Sequence, residues 1–200
     1  MRNVVPLHTL LSRLYEDACD DRLNFIKEKR VILIIGPELL KVDTDSGSLL
    51  LYDWLAAKLN ADTSRLPQPY SLNDVVCWHA ASHERREEAY TRLRSILREA
   101  TFTPPIALKQ FAAITDLDLF VSTAFDGNLA QDINEARFGG ARSTEVSSYA
   151  PNCIDDLPTS REQMSRPAVY NLLSRVSASP TYVISDEDAL EFVCALQSEN

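Results

Sequence analysis

No apolar run in this 200-residue chain approaches the roughly 18 residues that a membrane-crossing helix needs, which excludes such a helix and any membrane partner that depends on one. Met1 to Leu14 lacks a cleavable signal pattern. Its apolar residues are spaced by polar ones, and Glu16, Asp17, Asp20 and Asp21 follow. The expectation is a cytoplasmic protein. Positive charge is scarce: 20 basic against 29 acidic residues leave a net charge of −9. Binding nucleic acid without regard to sequence needs a basic face, so nucleic acid is not expected as a partner. Arg85, Arg86, Arg92, Arg94 and Arg98 are a local exception. They lie in a charge-dense helix that is read as a solvated outer face, the other reading being a phosphate-binding or subunit-contacting face.

Paired metal-binding motifs are absent too. Of Cys19, Cys77, Cys153 and Cys194, none forms Cys-x-x-Cys, so no zinc is expected. The cysteines are read as small buried hydrophobes in a reducing compartment. All three histidines precede residue 84. His79 and His83 share a helix face, but the glutamate that a zinc-protease motif requires after the first is missing, and no third ligand is evident. They are expected at the surface. The acids of Asp43 to Ser48 lack the spacing of a calcium loop and are read as a solvated turn.

What the chain does have is enough apolar material, 45% of residues, to bury one sizeable core. Val31 to Ile35 is an unbroken apolar run that stops at Gly36-Pro37, which reads as a central strand buried on both faces. Before it, Leu7 to Lys29 has helical spacing, with Lys27, Lys29 and Arg30 where a helix C-terminus favours cations. After it, helices are expected over 49–59, from a Ser71 cap with Asp74 as box partner to Ala81, over 84–100, and from a Thr103 cap onward. Asp118 to Thr123 is a second buried strand, followed by a short helix over 127–135. Arg137 to Ser160 is rich in Gly, Ser, Asn and Pro and shows no period, so 137–165 is expected to be a long loop. Ala168 to Leu173 is a third strand and Pro180 to Ile184 a short fourth, before a capping box at Ser185-Asp-Glu-Asp188 opens the last helix. Strands alternating with helices predict an α/β, Rossmann-like three-layer domain with a parallel sheet and helices on both faces. The whole of 1–200 is expected to form one domain, with 71–100 as a helical insertion.

Three strand ends follow in order: Ile35-Gly36-Pro37-Glu38, Ser122-Thr123-Ala124-Phe125-Asp126 and Tyr170-Asn171-Leu172-Leu173-Ser174, trailed by Pro180-Thr-Tyr-Val-Ile-Ser-Asp-Glu-Asp188. In order and spacing this resembles the sirtuin-like NAD-binding family, in its zinc-free bacterial branch associated with anti-phage defence. The resemblance implies that NAD or ADP-ribose would meet Gly36, Pro37, Glu38, Ser122, Thr123, Asp126 and Ser174. It also exposes departures. Pro37 removes a backbone N–H from the phosphate turn, and Glu38 places a negative charge where a diphosphate would sit. Ala124 stands where the family has asparagine. Leu173 stands where it has the catalytic histidine, and leucine cannot act as a general base. Ser174 replaces a glycine. Thr123, Asp126 and Asn171 are what remains of a catalytic set.

The resemblance further implies one more strand past Asn200, so the chain is expected to be the N-terminal part of a larger protein. Its partners would be further copies of itself or a fused or associated effector domain. The leading expectation is a catalytically degenerate domain that serves as scaffold, oligomerisation unit or weak nucleotide sensor. Two alternatives stand beside it. One is an active NAD-consuming hydrolase or deacylase that relies on Asp126, Thr123 or Asn171. The other is an unrelated doubly wound α/β domain used for interaction.

Overall fold

The computed structural model describes residues 18–45, 47–62, 66–83, 86–99, 104–149, 157, 161–177 and 181–198. Along the chain run helix α1 (18–27), strand β1 (Leu33–Ile35), a 3-10 turn (Pro37–Leu39), and the hairpin strands β2 (Lys41–Thr44) and β3 (Gly47–Leu50). Helices α2 (Leu51–Asp62), α3 (Leu72–His83), α4 (Arg86–Glu99) and α5 (Ile106–Ala113) follow. Then come β4 (Leu119–Ser122), α6 (Leu129–Phe138), β5 (Glu145–Ser148), β6 (Ala168–Asn171) and α7 (Asp186–Ser198). Strands β1, β4, β6 and β5 pair side by side in that order, every pair parallel. A four-stranded parallel sheet flanked by helices is the Rossmann-like three-layer α/β architecture that the strand–helix alternation predicts.

Register explains where the core sits. Ile35 pairs with Ser122 and Ser122 with Asn171, while Leu33 pairs with Phe120 and Phe120 with Val169. Side chains at paired positions share a face. On this face Ile35, Phe120 and Val169 are buried, and they join Leu55, Leu59, Val75, Val76 and Leu93 of the helices in one core. The other face carries Ile34, which is 67% exposed. The reading of Val31 to Ile35 as a central strand buried on both faces is therefore corrected. Among the described residues β1 has a neighbour on one side only and turns one face to the core. An apolar run specifies side chains, not the number of strands beside them.

Further readings change. Asp43, Thr44, Gly47 and Ser48 do not form a free loop but end the strands of the β2–β3 hairpin, where Lys41 pairs with Leu50 and Thr44 with Gly47. Gly47 supplies the positive φ, 127°, that this reversal uses. Helix α2 consequently starts at Leu51 rather than at 49. The expected long loop contains strand β5, whose sequence Glu-Val-Ser-Ser offers one large apolar residue and so no apolar run. Conversely, 181–185 is irregular instead of a strand. Cys77 and Cys194 are exposed and Cys19 half-buried, against the expectation of burial. His79 is 1% exposed, a core residue of α3 rather than a surface one. Thr103, Cys153, Pro180 and the start of the first expected helix lie outside the described residues.

Two of the expected caps form, at Ser71 and Ser185, whereas α5 starts at Ile106 with Pro105 at its N-cap and no side-chain cap bond. Ser71 and Asp74 bond reciprocally, Asp74 N–H to Ser71 Oγ at 3.2 Å and Ser71 N–H to Asp74 Oδ2 at 2.8 Å. At α7, Asp188 N–H donates to Ser185 Oγ at 3.2 Å and Ser185 N–H to Asp188 Oδ2 at 2.9 Å. Helix α6 ends at Gly139, which takes the left-handed conformation with φ 58°.

Two arginines tie the sheet to its surroundings. Arg137 of α6 lies over the Phe120 ring and donates to the carbonyls of Ala112, Ile114 and Leu117, closing the end of α5 and the turn into β4. At the amino end of the sheet Arg161 bonds Asp118 and donates to the Val31 carbonyl at 2.7 Å. Lys29 adds a second cation to Asp118 at 3.2 Å.

Candidate functional site

The carboxyl ends of β1, β4 and β6 lie side by side, which is where open parallel sheets present their ligand crevice. Backbone bonds extend the pairing beyond the strands. Thr123 N–H donates to Ile35 O at 3.0 Å, and Leu172 N–H to Ser122 O at 2.9 Å. The structure thus brings Gly36, Ser122, Thr123 and Asn171 to one edge, with Pro37, Glu38, Asp126 and Ser174 on the segments that leave it. The two hydroxyls are engaged locally. Thr123 Oγ1 donates to Ile35 O at 3.3 Å, and Ser122 Oγ closes a tight turn with the Ala124 N–H and carbonyl, each at 3.2 Å.

The turn after β1 does not open into a helix. Gly36 leads into the single 3-10 turn, the hairpin follows, and the first long helix starts only at Leu51. The helix N-terminus that usually faces a phosphate is absent from the residues directly after this strand. A Cβ built on Gly36 would lie 2.5 Å from Glu38 Oε2 and 3.9 Å from Thr123 Oγ1. The Glu38 carboxylate therefore lies folded back over Gly36.

The surrounding electrostatics are acidic. Burial pushes the Asp126 carboxyl up, opposed by its bond from the Asn128 N–H at 2.8 Å. Asp132 of α6 is pushed up to about 6, first by burial, then by Asp126, with Lys109 acting against both and Glu135 adding to them. Its Oδ2 has no hydrogen-bond partner among the described residues. Tyr52 of α2 stacks on Phe125 at 4.9 Å. Its phenol is pushed well above its usual range by burial and by Asp126, with the Phe125 amide opposing and Glu38 contributing in the same direction as Asp126.

Asn171 is 1% exposed. Its Nδ2 donates to the Ser147 carbonyl at 3.2 Å, while its Oδ1 has no partner among the described residues. Ser174, at the position where the resemblance expects glycine, keeps the left-handed backbone with φ 62°. Leu173 is half-buried, and its carbonyl accepts from Val183 N–H at 3.2 Å. His79 belongs to α3 and lies 4.0 Å from Glu88 of α4, on elements that carry none of the strand ends.

Several residues around the site were not legible in the sequence as site residues. Tyr52, Phe125, Tyr182 and Tyr90 form a continuous aromatic series, with centroid separations of 4.9, 5.7 and 5.0 Å. Tyr182 Oη donates to the Tyr90 carbonyl at 2.8 Å. Tyr90 Oη in turn donates to Asp188, which also accepts from Arg86 and from the Ile184 and Ser185 amides. Arg86 further bonds Glu191 at 3.1 Å. The arginine read as part of a solvated face is instead a connector between α4 and α7.

Chemically, the strand ends offer carboxylates, a phenol, an amide and two committed hydroxyls. Among the described residues no three His, Cys, Asp or Glu side chains are grouped to hold a metal. The Glu38 carboxylate lies over Gly36 at the turn after β1, and the groups that shift Tyr52 and Asp132 are chiefly acids. Compared with family models, curated proteins and solved structures, the chain finds no match.

Proposed function

We propose that the chain is a catalytically degenerate sirtuin-like domain of a bacterial, anti-phage type of system, acting as a scaffold or oligomerisation unit, or as a weak nucleotide sensor. The observation that carries this reading is the Glu38 carboxylate over Gly36, at the turn where a nucleotide phosphate would have to approach. Leu173, which offers no acid or base beside the strand ends, agrees with it. In this reading the domain acts in the cytoplasm and passes its state to other copies or to an attached effector module. An active enzyme would have to work with Asp126, Thr123 or Asn171. Of these, the Thr123 hydroxyl is bonded to Ile35 O, which leaves little for catalysis.

The test is incubation of the purified protein with NAD, with free nicotinamide measured by chromatography. The expected result is no release above the uncatalysed rate. Release that disappears in Asp126→Ala would overturn the degenerate reading in favour of an NAD hydrolase. Calorimetric titration with NAD and ADP-ribose separates the two non-catalytic versions, micromolar binding marking the sensor.

A further inference from the structure

We propose that β1 is the pairing edge of a two-fold dimer, in which the β1 strands of two copies of this chain lie antiparallel and join their sheets into one. The proposal rests on the oligomerisation version of the proposed function and gives it a surface.

The starting point is the direction of the backbone groups. Ile35 O accepts from Thr123 N–H after β4, and Val31 O accepts from Arg161, which also bonds Asp118 just before β4. Successive residues of a strand turn their N–H and C=O groups to opposite sides. Ile32, Ile34 and Gly36 therefore direct theirs to the side of β1 that has no neighbour among the described residues. Native sheets guard such an edge with charge, proline or a bulge. Leu33-Ile34-Ile35 carries no charge or proline, and its register is unbroken. Ile32 and Ile34 are 50% and 67% exposed.

This edge is complementary to itself. With a two-fold axis at Ile34, Ile34 faces Ile34 of the second copy, and Ile32 faces Gly36. In an antiparallel pair, opposite residues that both direct their groups across exchange both bonds. Gly36 O already accepts from Leu39 N–H at 3.3 Å. That leaves the mutual Ile34 bonds and a bond from each Gly36 N–H to the opposite Ile32 O. Arg30, Ile32, Ile34 and Gly36 alternate onto one face, and the Glu38 carboxylate lies over Gly36. The two-fold axis brings the exposed Glu38 of each copy to the end of the run where Arg30 of the other stands. Arg30 is 65% exposed, and its bond to Glu28 is long, at 3.4 Å.

The other edge of the sheet, β5, fits β1 less well. On the face that Ile34 shares with Val121 and Tyr170, β5 offers Glu145 and Ser147. A β1–β5 contact would also run head to tail, into a ring or a filament, instead of closing at two copies. Each copy contributes a short strand to the β1 pair, so the dimer is reversible and forms with rising concentration.

The test is sedimentation velocity of the full chain over about a hundredfold range of concentration, with residue-resolved amide exchange. The wild type is expected to pass from monomer to dimer. The Ile34 amide should exchange at least about tenfold more slowly at the dimer end, while Leu33 and Ile35, already paired with β4, change little. Ile34→Lys, at an exposed side chain, should keep the melting temperature and weaken dimerisation at least about tenfold, because it sets two like charges face to face. Arg30→Glu and Glu38→Arg should each weaken it about threefold or more, and the double variant should restore it, since the swap keeps opposite charges across the axis. A wild type that stays monomeric overturns the proposal and leaves the sensor version standing. A dimer that Ile34→Lys leaves intact, association that runs past two copies, or a double swap that restores nothing overturns it as well. NAD cleavage by the wild-type chain is a separate result, which removes the degenerate reading and leaves the dimer measurement to be read by itself.

Discussion

Replacing Asp188 with alanine tests how the C-terminal helix is held. The carboxylate is 7% exposed and accepts from four donors: the Ile184 amide at 2.8 Å, the Ser185 amide at 2.9 Å, the Tyr90 hydroxyl and the Arg86 guanidinium. Alanine leaves all four without this acceptor. A buried donor left unpaired costs about 1–3 kcal/mol. The Arg86 contribution must be discounted, because its side chain is 29% exposed and it keeps Glu191 as a partner. Two amides and one phenol then set a net loss of about 3–4 kcal/mol, allowing for rehydration of the frayed helix start. Asp188→Asn keeps an acceptor oxygen and should lose roughly half as much. Urea unfolding followed by far-UV circular dichroism is the assay. With a slope of about 2–3 kcal/mol per molar, the alanine variant should unfold at a midpoint about 1–2 M lower. Glu191→Ala is the internal control. That carboxylate is 64% exposed, and its loss should cost less than about 1 kcal/mol. The reasoning is refuted if Asp188→Ala moves the midpoint no further than Glu191→Ala does.

Four other outcomes are expected. Asp132 has a folded-state pKa of about 6 against a usual 3.8, so its contribution to stability is full at low pH and is lost as pH rises through that window. Asp132→Asn should therefore be more stable than wild type by about 2–3 kcal/mol at pH 7.5 and nearly equal to it at pH 4; parallel stability–pH curves for the two proteins would contradict this. Arg137→Ala removes donors to three carbonyls and should lower the melting temperature by about 5–10 °C, with lysine a poor substitute because it lacks the planar fork. Leu173→His should produce no nicotinamide from NAD, because Pro37 and Glu38 would still stand at the turn after β1. Glu38→Ala should leave the melting temperature within about 2 °C of wild type, as for an exposed residue.

Some of this architecture is legible in the amino-acid order because it depends on near neighbours. The Ser71–Asp74 and Ser185–Asp188 boxes join residues three apart, so the residue types alone announce them. The strand-end residues are legible for a similar reason, since each directly follows an apolar run. Strand β5 is not, because a polar strand of Glu, Val, Ser and Ser carries no apolar signal, and its partner β6 decides its pairing. The edge position of β1 is hidden in the same way, by depending on what lies beside it. Tyr52 and Asp132 reach the strand ends from helices read only for their packing. Arg86 finds Asp188 across 102 positions, a separation at which a charge-dense helix looks merely solvated.

The link at the amino end of the sheet has a consequence for how the chain comes apart. Arg161 reaches Asp118 across 43 positions and the Val31 carbonyl across 130. Contacts of such reach carry the loop-closure cost of the chain between them, so each depends on the segments at both of its ends. The link has two parts: the Arg161–Asp118 pair joins the start of β4 to the segment before β6, and the Val31 bond adds the start of β1. Losing the segment before β6 frees Arg161 from both partners, whereas losing β1 frees the Val31 carbonyl and leaves the Arg161–Asp118 pair in place. Slowly exchanging amides in β4 and β6 should then open together, with β1 able to fray separately once the Val31 bond is lost.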